Sequence, residues 1–149
     1  MIREIDVNEL DQVLKIDRLV LGTNWEDHHY HTEIFNEDSI FLIDVCSNVV
    51  RGFILILVLG LDAEILQIAT HPDYQKKGLA SRLFGTSVEI LQDVGVEYLF
   101  LEVRESNSCA IEFYRKKGFI QTGVRKNYYG LNRHANLMRK RLSYDCISD

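Results

Sequence analysis

The 149-residue chain is poor in proline and in cysteine. A single proline, Pro72, argues against a proline-rich linker, and nine glycines are scattered with no repeat or low-complexity run. Three cysteines, Cys46, Cys109 and Cys146, form no C-x-x-C pair and are odd in number. That count excludes a simple disulfide framework and points to a reduced, cytoplasmic setting. No apolar stretch approaches the ~20 residues of a membrane helix. The longest, residues 53–61, reads as a buried strand. Met1-Ile2-Arg3-Glu4 lacks the pattern of a signal peptide. One domain over residues 1–149 with no membrane partner is expected; only residues 143–149 suggest disorder.

Basic charge is scarce at the front. Residues 1–45 hold three Lys/Arg against eleven Asp/Glu; the rest hold fourteen against eleven, for a net charge of −5. With no basic excess, nucleic acid is not an expected partner. A composition of 46 % hydrophobic and 26 % charged residues is that of a globular protein with a real core.

Periodicity divides the chain into alternating elements. Residues 2–5 read as a strand, with Asp6 and Glu9 spaced as a capping box for a helix buried through Leu10, Val13, Leu14 and Leu21. Residues 25–35 form a polar, histidine-rich helix or loop. Residues 40–46 and 52–59 read as strands joined at Ser47-Asn48, and 63–70 as another. A helix over 79–94 carries Leu79, Leu83, Phe84, Leu91 and Val94 near one stripe and stops at Gly95. Residues 98–104 form a strand, Asn107 caps a helix ending at Gly118, and 119–125 and 136–142 close the fold as strands. This order predicts an α/β fold, a mixed sheet with helices on both faces.

Two regions carry chemistry. Between the strand ending at Thr70 and the helix starting at Leu79, the run His71-Pro72-Asp73-Tyr74-Gln75-Lys76-Lys77-Gly78 aims a helix N-terminus at a basic loop. Unpaired N–H groups and the helix dipole attract anions there, and Gly78 and Ala80 leave the backbone open to a bulky phosphate. A phosphorylated cofactor is expected. In the strand Leu99-Phe100-Leu101-Glu102-Val103-Arg104, Glu102 falls on the face opposite the leucines. It is either a proton acceptor in a wet cleft or a strand-end residue in a surface salt bridge. Tyr114 faces inward with Ala110 and Ile111, as a proton donor or a core tyrosine. Cys109 reads as a small buried helix residue rather than a nucleophile. His28, His29 and His31 beside Glu26 and Asp27 match no strong metal pattern, so no metal is expected. They read instead as a solvated acidic segment lining the entrance to a binding cleft, and Trp25 as either a core anchor or part of that pocket.

The pattern Gln75-x-x-Gly78-x-Ala80 resembles motif A of the GNAT N-acetyltransferases. The run Leu101-Glu102-Val103-Arg104-Glu105-Ser106-Asn107, with Ala110-Ile111, Tyr114, Gly118-Phe119 and Arg125-Lys126-Asn127-Tyr128-Tyr129, is similar to the RimI branch. The resemblance implies a single-domain GNAT fold: a mixed, mostly antiparallel sheet with a splayed central pair of parallel strands. It further implies acetyl-CoA as co-substrate and direct transfer to an α-amine, such as that of ribosomal protein S18. Glu102 then matches the proton acceptor and Tyr114 the donor to the leaving thiolate. Ile68, Ala69 and Thr70 match the strand holding the acetyl-pantetheine arm. Gln75, Lys76, Lys77, Gly78, Leu79, Ala80 and Ser81 match the pyrophosphate loop, and Asn107 a contact near the thiol. Arg133-His134 stand where that branch carries two acids. A lysine side chain or small amine as acceptor, or a non-catalytic acyl-CoA-binding module, are the alternatives.

Overall fold

The computed structural model describes residues 1–142; Cys146 and the tail 143–149 lie outside the described residues. β1 (Ile2–Glu4) ends at Asp6, where the expected capping box forms: Asp6 accepts from the Asn8 amide and Glu9 accepts from the Asp6 amide. It opens one 3-10 turn, Val7–Glu9, before α1 (Leu10–Ile16). α1 widens into a π turn, Asp17–Leu21, closed by Gly22 in the left-handed region, and α2 (Asp27–Ile34) follows. β2 (Ser39–Cys46) and β3 (Val49–Leu59) meet at Ser47-Asn48, both at positive φ, as a two-residue hairpin with matching twist requires. β4 (Asp62–Thr70), α3 (Leu79–Asp93), β5 (Tyr98–Arg104), α4 (Ser108–Lys116), β6 (Ile120–Arg125) and β7 (Ala135–Arg141) complete the order.

The seven strands form one sheet in the order β1-β2-β3-β4-β5-β7-β6. Every pairing is antiparallel except β4 with β5. That parallel ladder covers only Asp62–Tyr98 to Ile65–Leu101. At that point Ile56 of β3 pairs with Ile65 but Leu55 pairs with Gln67, so Leu66 is an extra residue in β4. Such a bulge bends its strand and adds local twist. Beyond it β4 stays with β3 and leaves β5.

The helices divide between the two faces. Leu10, Val13, Ile16 and Tyr30 of α1 and α2 pack on Phe41, Ile43, Phe53 and Leu55. Leu83, Phe84, Leu91 and Tyr114 of α3 and α4 pack on Leu42, Ile54, Ile65, Leu99, Leu101 and Met138. The expected mixed sheet with helices on both faces is therefore present. Two details differ from expectation. Val94 is exposed, because it sits one residue past α3, where the chain turns at Gly95 with φ +85. Cys109 is exposed rather than buried, in the first turn of α4 while Tyr114 takes the inner face.

Sequence pattern gave no sign of the polar anchor under α1 and α2. The Asp17 carboxylate is fully buried and accepts from the Thr23 amide, the Thr23 hydroxyl and the Tyr30 hydroxyl. Three donors satisfy a charge that burial would otherwise penalise heavily. Asp17→Ala should lower unfolding stability in urea by about 2–3 kcal/mol, since it strands the buried Tyr30 hydroxyl. Adding Tyr30→Phe should then cost less than Tyr30→Phe alone; strictly additive losses would show that this bond is not what couples the two helices.

Candidate functional site

The site begins where the sheet splits. Past Ile65, β4 keeps its β3 partners at Ile68, Ala69 and Thr70, but no β5 ladder reaches these residues. Ile68 and Thr70 are half-buried and Ala69 is buried. Backbone polar groups inside a protein need partners, so this inner edge is suited to an extended ligand bearing amides.

At the end of that edge lies the phosphate-type loop. Pro72–Tyr74 makes one 3-10 turn, and the Gln75 side-chain amide donates to the Thr70 carbonyl at 3.1 Å, closing the loop. Lys76 at φ +62 and Gly78 at φ +79 give the loop left-handed backbone, the conformation found in turns whose amides form anion-binding concavities. No side chain caps α3. Gly78 has only the Arg82 guanidinium within 4 Å of where a Cβ would be. Lys76 and Lys77 are exposed, Leu79 is buried in the core, and Ala80 and Ser81 are half-buried. Leu79 can therefore offer a ligand its amide but not its side chain. A glycine that the sequence did not single out, Gly52, permits this arrangement. A Cβ there would stand 3.0 Å from the Ala69 carbonyl and 3.3 Å from Leu79.

Two carboxylates mark the other side of the split. Register places Glu64 opposite Phe100, and Phe100 shares its face with Glu102 and Arg104. Arg104 lies across Ala135 from Arg125, so Arg125 is on that face too. Arg125 reaches Glu102 at 2.9 Å and lies over the Tyr128 ring at 4.2 Å. Glu102 has the salt bridge that one of its two readings expects, and 21 % of its side chain is exposed. Glu64 has no ion-pair or hydrogen-bond partner among the described residues. Burial, and then repulsion from Glu102, push its carboxyl above the usual range, with Arg125 pulling the other way.

Tyr114 approaches from the opposite face. Its ring packs edge-on against Phe113 and Phe119, each at 5.4 Å, and burial followed by proximity to Tyr129 raises its hydroxyl well above the ordinary tyrosine range. Tyr129 is half-buried and raised in turn by burial, by Tyr128 and by Glu102. Its field reaches both Tyr114 and, from the other side, Glu102. Asn107 spends its side-chain oxygen on the Ala110 amide at 3.2 Å, as the cap of α4.

The histidine-rich segment and Trp25 belong to the α1–α2 part of the fold. His28 and His31 line an open cavity of about 540 Å³ with Leu14, Arg18, Glu26, Asp27 and Thr32, on the α1–α2 side. His29 accepts from the Glu26 amide at 2.8 Å within the cap of α2. Among the described residues no group of three or more His, Cys, Asp or Glu could hold a metal. Trp25 is half-buried against the Tyr30 ring at 4.8 Å, which is a packing role. Sequence reasoning gave Glu64 and Arg125 no role. Their signal lies in register, since β7 enters the sheet between β5 and β6.

With this geometry in view, comparison with known proteins is direct. Residues 10–119 match the acetyltransferase (GNAT) family, and the chain belongs to it. It is thereby an N-acetyltransferase by class. A Bacillus subtilis (strain 168) protein named as a candidate ribosomal protein bS18-alanine N-acetyltransferase is 32 % identical over 129 residues, covering 86 % of this chain and 85 % of that one. An N-alpha-acetyltransferase of Saccharolobus solfataricus is 29 % identical over 154 residues, 95 % and 92 % of the two chains. The crystal structure of the Escherichia coli ribosomal-protein-S18-alanine N-acetyltransferase superposes with a TM-score of 0.88 at 25 % identity, covering 100 % of this chain and 97 % of that one.

The unpartnered Glu64 has a consequence for stability. The fold holds its proton more tightly than the unfolded chain does, so the folded state binds more protons between the two values. Stability should therefore fall as pH rises through that window. Glu64→Gln should raise the melting temperature at pH 7 and lose that advantage below about pH 4, where an unfolded glutamate is itself protonated. A pH-independent difference would rule out the raised proton affinity of Glu64 in the fold.

Proposed function

We propose that this protein transfers the acetyl group of acetyl-CoA directly to the α-amine of a polypeptide N-terminus. One observation carries the reading: Glu102 and Tyr114 stand on opposite faces of the sheet, at the place where β4 and β5 separate. A thioester lying along Ile68, Ala69 and Thr70 would pass between them. The loop from Gln75 to Ser81 fits the pyrophosphate of coenzyme A, because the uncapped amides of α3 and the two lysines offer what a diphosphate needs. An aminoglycoside 6'-N-acetyltransferase crystallised with coenzyme A shares this fold, with a TM-score of 0.86 at 19 % identity.

The chemistry follows from the two sides. An α-amine has a pKa of ~8 and arrives largely as ammonium at neutral pH. Glu64 and Glu102 together attract that cation. Glu102 first takes one proton and passes it to solvent, and the freed lone pair then attacks the thioester carbonyl. The nitrogen's second proton leaves by the same carboxylate as the tetrahedral intermediate collapses. Charge developing on the carbonyl oxygen is met by a backbone amide of the β4 edge. Tyr114, held protonated by burial, then donates to the departing sulfur. Asn107 lies at the start of the same helix and supports the thiol end. The two substrates are held together, so positioning supplies much of the rate and no acyl-enzyme is needed. The surroundings of Glu102 favour a polypeptide over a small amine. Arg104, Arg125 and Tyr128 are all exposed, so the site opens on a surface rather than an enclosed pocket.

A thiol-release assay with acetyl-CoA should show turnover on an N-terminal peptide and none on the same peptide with a blocked α-amine. Persistence with the blocked peptide would overturn α-amine specificity. Tyr114→Phe should lower turnover by about a hundredfold with coenzyme A affinity unchanged, the usual order for losing a general acid. Gly78→Glu should abolish the thermal shift given by coenzyme A, since the new carboxylate would occupy the anion loop. A full shift in that variant would place the phosphates elsewhere.

A further inference from the structure

The carboxylates at the split are surrounded by cations that have no carboxylate of their own. Arg104 lies over the Tyr129 ring at 4.7 Å and Arg139 over the Tyr98 ring at 4.8 Å; neither has an acidic partner among the described residues. Register puts both on the face of Glu102, Arg139 opposite Phe100 and Arg104 two residues beyond Glu102. Lys126 and Arg133, on the β6–β7 loop, are exposed and equally without partners. The site is thus a small acidic centre bordered by a surplus of cations, with Arg104, Lys126, Arg133 and Arg139 outnumbering the exposed Glu105, whose amide donates to the His134 carbonyl at 3.0 Å.

The loop that carries Arg133 is braced by its own bonds. Asn132 donates its amide to the Asn127 side chain at 2.8 Å, Arg133 to the Gly130 carbonyl at 3.0 Å, and Tyr129 to the Arg133 carbonyl at 3.0 Å. Left-handed conformations at Asn127 and Asn132 make this tight path possible. The ring nitrogen Nδ1 of His134 accepts from the Asn127 amide at 2.9 Å. His134 is therefore a brace, and the reversed charge of this loop rests on Arg133. Tyr129 links the two: its ring lies under Arg104 and its amide donates to the Arg133 carbonyl, so the backbone of Arg133 is held at the Arg104 end of the site.

We propose that the acceptor is a polypeptide with an aspartate or glutamate at its second or third residue, read by Arg104 and Arg133. This rests on the α-amine reading above and names its substrate class. The spacing supports it. An extended chain advances about 3.3 Å per residue, so an acceptor whose amine sits at Glu102 reaches the level of Arg104 with its second or third residue. An acceptor basic at those positions would set like charges against these cations, a cost that specificity depends on as much as on attraction.

The test uses the full chain with acetyl-CoA and synthetic peptides that share their first residue and carry Glu, Gln or Lys at positions two and three. The Glu peptide should exceed the Lys peptide in kcat/KM by about tenfold or more at low salt, and the gap should narrow as salt rises. Arg133→Glu, at an exposed position, should raise KM for the Glu peptide about fivefold, leave kcat unchanged and improve the Lys peptide. Equal kcat/KM across the panel, or preference for Lys, overturns the proposal while α-amine transfer stands. Absence of turnover on every peptide, with the coenzyme A thermal shift intact, overturns the α-amine reading and this inference together.

Discussion

One extra residue in a strand opens this molecule. Leu66 has no place in the β3–β4 register, and the parallel ladder between β4 and β5 ends one residue earlier, at Ile65–Leu101. An unbroken ladder would fill the inner edge of β4 with bonds to β5 and leave no slot through the sheet. The bulge turns a stretch of sheet interior into a strand edge that a ligand can complete. Gly52 sustains it from the neighbouring strand by letting the Ala69 carbonyl and Leu79 close in. Site and fold are therefore one feature: the phosphate loop follows the end of β4, and Glu102 is the first residue of β5 past the ladder.

The slot connects two faces with different contents. On one, α3 and α4 bury Tyr114 in an aromatic group with Phe84, Phe113 and Phe119. On the other, α1 and α2 cover β2 and β3 but leave the β5–β7 part to solvent, with its charges. A buried hydroxyl keeps its proton and an exposed carboxylate surrounded by arginines stays accessible. The sheet itself stands between the Tyr114 hydroxyl and the Glu102 carboxylate.

Local patterns were legible in the sequence because they depend on near neighbours. The Asp6–Glu9 box, the Ser47-Asn48 turn, the Asn107 cap, Gly78 and the inward Tyr114 all appear as their spacing implies. The alternation of β5 correctly turned Glu102 away from the core. Positions set by strand register were not legible. Arg125 is 23 residues from Glu102 and meets it only because β7 enters the sheet between β5 and β6. Glu64 becomes a neighbour of Glu102 only through the parallel pairing. Val94 and Cys109 misled for a simpler reason: hydrophobicity near a helix end does not say which side of the terminus a residue falls on.

Asp17 and Glu64 show how the same chemistry separates structure from function within one chain. Both are acids placed under the influence of a packed core. Asp17 is wholly buried, but three donors converge on it and its charge is satisfied internally. Glu64 is only half-buried, yet it has no hydrogen-bond or ion-pair partner among the described residues, and repulsion from Glu102 outweighs the pull of Arg125. A protein selected for stability alone would give Glu64 a partner or replace it. Leaving it unanswered lowers stability at neutral pH and leaves an acidic centre that a cation from outside can satisfy. On the proposed reading, the arginines then limit which cation fits: one attached to a chain whose next side chains are acidic. On that reading the slot would supply a place for the thioester, the unpaired acid a place for the amine, and the arginines a preference for the residues behind it.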